Sequence, residues 1–293
     1  MDKINSLIID HLPRGPMDAL AVGVVDFKAK RFQTTEASFY EGELYFHEES
    51  FLWFDLASVT KPLTNSLSYF LRPELFTDEM VLCLNHRGGL PSWGRLSKTD
   101  WREQILSYPI KESETLYSDF SALRVMLELQ KQGIDQHQLV KPIWDQELCF
   151  WKDVPEDYEI VLNSMRQVVH DPNALVIDEF CSHAGLFSTI NGLCQTLLNY
   201  QAKTSFIERM KDHDEHRFYS GWDRVLNPEK TLAGEGCGKH TFGHLGFTGT
   251  SVWIDPDKML GHVILSNATK HHWFDKENLN EFRRSVGRII WAE

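Results

Sequence analysis

Apolar residues alternate with polar ones, or gather in short β-branched stretches, at both ends of the chain, and they recur at helical spacing through its middle. Ala21 to Asp26 (AVGVVD) predicts a strand, and Arg31 to Phe46 continues with alternating strand-like residues around Glu41-Gly42, so a leading hairpin is expected. From Ser58 to about Leu71 the spacing changes to that of a helix. Ser121 to Gln132 (SALRVMLELQKQ), closed by Gly133, and Asn191 to Gln201 predict two more. Between 135 and 180, Pro142, Pro155 and Pro172 mark loops. Ser251 to Asp255 (SVWID) and Gly261 to Ser266 (GHVILS) flank a Pro256-Asp257 turn, and Lys276 to Trp291 reads as a closing amphipathic helix. Strands at both ends with helices between predict an α+β protein whose two lobes share a core and a cleft.

Length and composition narrow this further. A chain of 293 residues with 42% hydrophobic and 25% charged side chains folds as one or two domains and is too apolar to be disordered. Thirty basic against 42 acidic residues leave a net charge of -12, which argues against nucleic acid or an anionic membrane surface as partner. Cys83, Cys149, Cys181, Cys194 and Cys237 are odd in number and form no CxxC pair, so reduced, mostly buried thiols are expected. No apolar run approaches the roughly 18 residues of a membrane span. The amino terminus, MDKINSLIIDHLPRGPMDAL, is interrupted by Asp10 and His11 and lacks a small-residue cleavage site, so a cytoplasmic protein is expected; a chain already trimmed of a signal would be periplasmic.

Three segments carry candidate chemistry. In Phe54 to Pro62 (FDLASVTKP), Ser58 and Lys61 stand three apart at the start of a predicted helix, on one face. A serine is a weak nucleophile until a base takes its proton, and a desolvated lysine serves as that base. The same pattern also fits a capping serine and a solvated lysine. Tyr117-Ser118-Asp119 precedes the second helix, as a proton-relaying phenol or as a helix cap beside a core tyrosine. In Phe242 to Ile254 (FGHLGFTGTSVWI), Gly243, Gly246 and Gly249 allow close backbone approach in or beside a strand, as a bulge or as an edge a substrate can lie against, and His244 is either a charged or hydrogen-bonding group at that edge or structural. His213/His216 and His271/His272 have metal-like spacing but no third ligand, and read as solvated histidines; no metal or cofactor is expected. Trp93, Trp151, Trp222 and Trp253 read as core, with Trp93 also able to line the cleft after its Gly-Gly loop. Asp171 and His183 are further cleft candidates.

The order of these segments resembles the SxxK, YxN and KTG/HxG elements of the serine β-lactamase and penicillin-binding-protein superfamily, and more closely its class C β-lactamase-like branch of carboxypeptidases and esterases. Asn85 to Trp93 (NHRGGLPSW), His170 to Ala174 (HDPNA) and Ser182 to Thr189 (SHAGLFST) resemble further segments of that branch, so the likeness runs from about Ala21 to the terminal helix. The resemblance implies a single β-lactamase/transpeptidase-like domain. Its antiparallel sheet, flanked by helices, would come from about 1–75 and 205–293, with an inserted helical lobe over about 76–204. It implies Ser58 as acylated nucleophile, Lys61 as its proton partner and Tyr117 as second relay. The amides of Ser58 and Phe247 would form an oxyanion hole, and Asp119, His244 and Gly246 would bind substrate.

Two departures shape the expected activity. Asp119 stands where YxN has an asparagine and can pair with Lys61, and His244-Leu245 replaces the lysine and hydroxyl of KTG. The expectation is a serine hydrolase of esterase or peptidase type with weak β-lactamase activity, acting on a small ester, amide or peptide. A D-alanyl-D-alanine carboxypeptidase or endopeptidase, and a catalytically silent binding protein, are the alternatives.

Overall fold

The structure, a computed structural model, describes residues 1–155, 159–160, 169–211 and 216–292. Its strands are β1 Ala19–Asp26, β2 Arg31–Tyr40, β3 Glu43–His47, β4 Leu52–Asp55, β5 Leu148–Phe150, β6 Glu159–Ile160, β7 Leu186–Ser188, β8 Phe218–Tyr219, β9 Trp222–Arg224, β10 Phe242–Leu245, β11 Ser251–Asp255 and β12 Leu260–Ser266. Eight of them form one antiparallel sheet in the order β3-β2-β1-β12-β11-β10-β9-β8, so strands from the two chain ends meet at the β1–β12 pair. A smaller sheet runs β5-β7-β4-β6.

Alternation along β1 and β12 explains the layers. Leu20, Val22 and Ile264 pack with Ile4, Ile8, Phe282, Val286 and Ile290 of the Asp2–His11 and Glu277–Trp291 helices. Ala21, Val263 and Leu265 face the opposite way, onto Leu193, Cys194 and Leu197 of the Ile190–Thr204 helix. That helix comes so close that a Cβ on Gly23 would sit 2.3 Å from Cys194 Sγ. A second core, with Met80, Leu84, Trp101, Leu123 and Met126, surrounds the Asp119–Lys131 helix. Among the described residues, no helix is long and apolar enough to cross a membrane.

The sheet and helix expectations hold, with four differences. Pro142 and Pro172, expected in loops, lie in the first turns of the Lys141–Ile143 3₁₀-helix and the Pro172–Ile177 α-helix, where a missing N–H costs nothing. The leading hairpin is a three-stranded meander, because Glu41-Gly42 turns β2 back into β3. The Asp2–His11 helix was not anticipated, although Ile4 and Ile8 stand one helical turn apart. The segment after Ser58 is a 3₁₀ turn at Ala57–Val59, a wide π-helical turn at Pro62–Ser66 and α-helix only at Leu67–Leu71. Pro62 lacks the N–H a continuous helix would use there.

Candidate active site

The site is assembled where β4 and β10 meet the amino-terminal ends of the Ser58 and Asp119 helical segments. After β4 the backbone passes through Ala57 at φ +45°, a left-handed conformation that costs energy for a residue with a Cβ. Asp55, 1% exposed, anchors it: Oδ1 accepts from the Ala57 amide at 2.8 Å and Oδ2 from the His170 amide at 2.7 Å. Burial pushes the Asp55 carboxyl up to about 7 against the pull of those two amides. The Thr248 and Thr250 hydroxyls donate to the carbonyls of Asp55 and Leu56 at 2.8 and 3.0 Å, fastening the β10–β11 turn to this loop. Gly246 lies in that turn, where a Cβ would sit 1.9 Å from Thr250 Oγ1 and 2.6 Å from the Leu56 carbonyl.

Ser58 Oγ accepts a hydrogen bond from Lys61 Nζ at 2.9 Å. Lys61 is 3% exposed; its Nζ also donates to the His183 carbonyl at 2.9 Å and lies 2.7 Å from Asp119 Oδ1. Burial pushes this ammonium down, but Asp119, aided by Tyr117, overcomes it and holds Lys61 above the ordinary lysine range. Lys61 Nζ lies 5.1 Å from the Tyr117 ring centroid. Burial raises the Tyr117 phenol, with Lys61 opposing, so the ring is neutral near pH 7. The segment predicted around Asn85 to Trp93 clamps this corner. His86 Nδ1 accepts from the Ser118 amide at 3.1 Å, Ser118 Oγ donates to the Pro91 carbonyl at 2.6 Å, and the Asp119 amide donates to the Ser92 carbonyl at 2.8 Å. Ser118 then caps the helix through the Ser121 amide at 2.9 Å.

His244, 2% exposed, is neutral. Burial, with Lys61 adding to it, pushes the imidazole down to about 3. Its Nδ1 lies 2.9 Å from the Leu245 carbonyl, which places the proton there and leaves the buried Nε2 as an acceptor with no partner among the described residues.

Two cavities open from Ser58 and Tyr117, with Phe247 between them. One, of about 350 Å³, is bounded by His244, Arg217, Lys276, Asn280 and Arg283. Arg217 is paired with Asp223 through bonds of 2.9 and 2.8 Å. Arg283, 2% exposed, has no carboxylate partner among the described residues; it donates to the Thr250 carbonyl and to Asn280 Oδ1 at 2.9 Å each, and its Nε finds no partner among them. The other cavity, of about 260 Å³, is bounded by Trp93, Asp119, His170, Asp171 and Trp273.

No protein-family model matches the chain. A class C β-lactamase from Rhodobacter sphaeroides superposes with a TM-score of 0.65 at 15% identity, over 99% of each chain. A penicillin-binding-protein homologue from Caulobacter crescentus does so at 0.66 and 12%, over 97% of this chain and 96% of that one. The chain has the serine β-lactamase and penicillin-binding-protein fold. An N-acetylmuramyl-L-alanine amidase of Bacillus subtilis (strain 168) is 31% identical over 153 residues, 44% of this chain; the chain spans about a third (34%) of that relative's length.

Within this β-lactamase-type fold, the residues singled out from sequence fall into groups. Ser58, Lys61, Tyr117 and Asp119 converge; His244, Gly246 and Phe247 flank them on β10 and its turn. Asp171 lines the second cavity, whereas the His183 side chain is fully buried behind it. Trp222 and Trp253 are core, as expected, but Trp93 is 50% exposed at the cleft, carried there by the loop after Gly89. His213 lies outside the described residues. Asp55, His86, Lys276 and Arg283 were missed. The last two had a signal: Lys276, Asn280 and Arg283 are four and three apart, one face of the terminal helix.

Proposed function

We propose that the protein is a serine hydrolase that forms an acyl-enzyme on Ser58 and cleaves an amide or ester bearing an anionic group, with weak activity on β-lactams. The observation that carries this reading is the 2.9 Å contact between Ser58 Oγ and a buried Lys61. Asp119, 2.7 Å away, keeps Lys61 charged at rest, so Lys61 acts as a base only in the minor fraction that has lost its extra proton to solvent. Ser58 Oγ then attacks the carbonyl carbon as its proton moves to Lys61. The amides of Ser58 and Phe247 receive the oxyanion, a donor of that kind contributing about 3 kcal/mol. Tyr117 gives its proton to the departing amine or alcohol and is reprotonated through Lys61; water then hydrolyses the Ser58 ester.

Arg217, Lys276 and Arg283 against the single carboxylate of Asp223 leave one cavity positive, which supports an anionic group there. The neutral His244 and the apolar Leu245 support weak β-lactam turnover, because the cation and hydroxyl of the fold's KTG element are absent. The Bacillus relative is named for an amide bond, which makes amides the first substrates to try. Intact-mass spectrometry of the protein and of Ser58→Ala, after incubation with a fluorophosphonate, a penicillin and N-acyl amino-acid amides and esters, tests this. The expected result is a fluorophosphonate adduct only when Ser58 is present, turnover of the amides or esters, and no stable penicilloyl adduct. A lasting penicilloyl adduct would point to a cell-wall peptidase, and a protein inert to all reagents would be a binding protein.

A further inference from the structure

The cavity bounded by Trp93 and Trp273 has a chemistry of its own. Its walls are aromatic: Trp93 and Trp273 are 50% and 51% exposed, and His170 stands between Phe247 and Trp273 at ring-centroid distances of 5.4 and 4.9 Å. Polar side chains line it as well. Among the described residues, Asp171 makes both of its side-chain hydrogen bonds, to His183 Nε2 at 3.0 Å and the Ala174 amide at 2.7 Å, through Oδ1 alone. Oδ2 of Asp171 and the edge of Asp119 are therefore acceptors beside exposed indole faces.

Charge decides among the possible occupants. Asp119 is balanced by Lys61, and Asp171 by His183. Burial opposes charge on the His183 ring, but Cys181 and Asp171 beside it raise its pKa to about 10, so it is an imidazolium at neutral pH. With both carboxylates neutralised and the Lys276 ammonium 4.0 Å over the Phe247 ring, the cavity has no net negative field to hold a cationic ligand. A purely aliphatic group would strip water from Asp119 and Asp171 and return no hydrogen bonds. A ring with an apolar face and hydroxyl edges satisfies both the indoles and the acceptors.

We propose that this cavity is a subsite for an uncharged polyhydroxylated ring, a sugar unit of the substrate, lying across the scissile bond from the anionic group. The proposal rests on Ser58 as the reacting residue, but its test does not require turnover. Ser58→Ala protein labelled with ¹⁵N is titrated with N-acetylglucosamine, cyclohexanol and cyclohexylammonium, following the indole N–H signals. Trp93→Ala and Trp273→Ala assign the two resonances and Trp93→Phe retains an aromatic face; thermal melts show that each variant is folded. The expected result is saturable shifts of both indoles by N-acetylglucosamine, affinity weakened about tenfold or more in either alanine variant and partly kept in Trp93→Phe, and little response to the other two ligands. Absence of saturable binding, binding unaffected by both substitutions, or preference for cyclohexanol or cyclohexylammonium would overturn it. A sugar bound normally by a protein that never acylates at Ser58 would instead sink the hydrolase reading and leave the subsite standing.

Discussion

At the scale of single residues, the Lys61–Asp119 pair sets the pH behaviour. A buried lysine left alone would shed its proton readily; with Asp119 at 2.7 Å it keeps it. Only the small deprotonated fraction reacts, so acylation is expected to rise with pH across the accessible range, without a plateau below about pH 10. Asp119→Asn removes the opposing charge and leaves burial to act, lowering the Lys61 pKa. Acylation at pH 7 should then increase about tenfold or more, with the rising limb moved to lower pH. Stopped-flow rates with a chromogenic ester check both statements. A slower Asp119→Asn would mean that Asp119 is needed to take the proton from Lys61, as the end of the relay. This carboxylate was legible in YSD; its distance to Lys61 was not, because it depends on His86, Pro91 and Ser92, three positions in a loop whose backbone bonds leave no periodic trace.

At the scale of elements, the nucleophile turn is held by its neighbours more than by its own helix. Asp55 ties Ala57 to His170, and Thr248 and Thr250 tie the same turn to β10 and β11. Asp55→Asn turns one acceptor into a donor facing an amide N–H, which should lower stability by about 1–3 kcal/mol in urea titrations. A Cβ on Gly246 would press on Thr250 and Leu56, displacing the Phe247 amide; Gly246→Ala should lower kcat by about 10²-fold or more with a smaller change in KM. The glycines of FGHLGFTGT were visible as places of close approach, and the order of strands and helices followed from alternation and spacing. The partners across the approach were not visible, because Leu56 and Thr250 are 194 positions apart and meet only through the sheet order, which β12 sets by inserting between β1 and β11. The broken helix after Ser58 escaped for a different reason: Pro62 is tolerated in a first turn, so its presence did not reveal the π-helical widening that follows.

At the scale of the whole molecule, a chain of net charge -12 presents a local positive cavity beside Ser58. The overall field repels an anion, so the attraction has to come from close range, from Arg283 and Lys276 on the terminal helix that also seals the sheet. The two cations differ in how they respond to pH. Burial, with Arg283 adding to it, brings the Lys276 ammonium down to about 8. Burial also lowers Arg283, to about 9. Below pH 8 both are charged; as pH passes through 8, Lys276 loses its proton first and the cavity loses one positive charge. KM for an anionic substrate should therefore rise through pH 8, while KM for its neutral amide analogue stays flat. In Lys276→Met the step near pH 8 should vanish and KM for the anion should be raised about five- to thirtyfold at pH 7, the range for loss of one charge-assisted contact of roughly 1–2 kcal/mol. Because kcat reports Lys61 and KM reports Lys276, one pH series separates the two, and a step that survived in Lys276→Met would assign it to a different group.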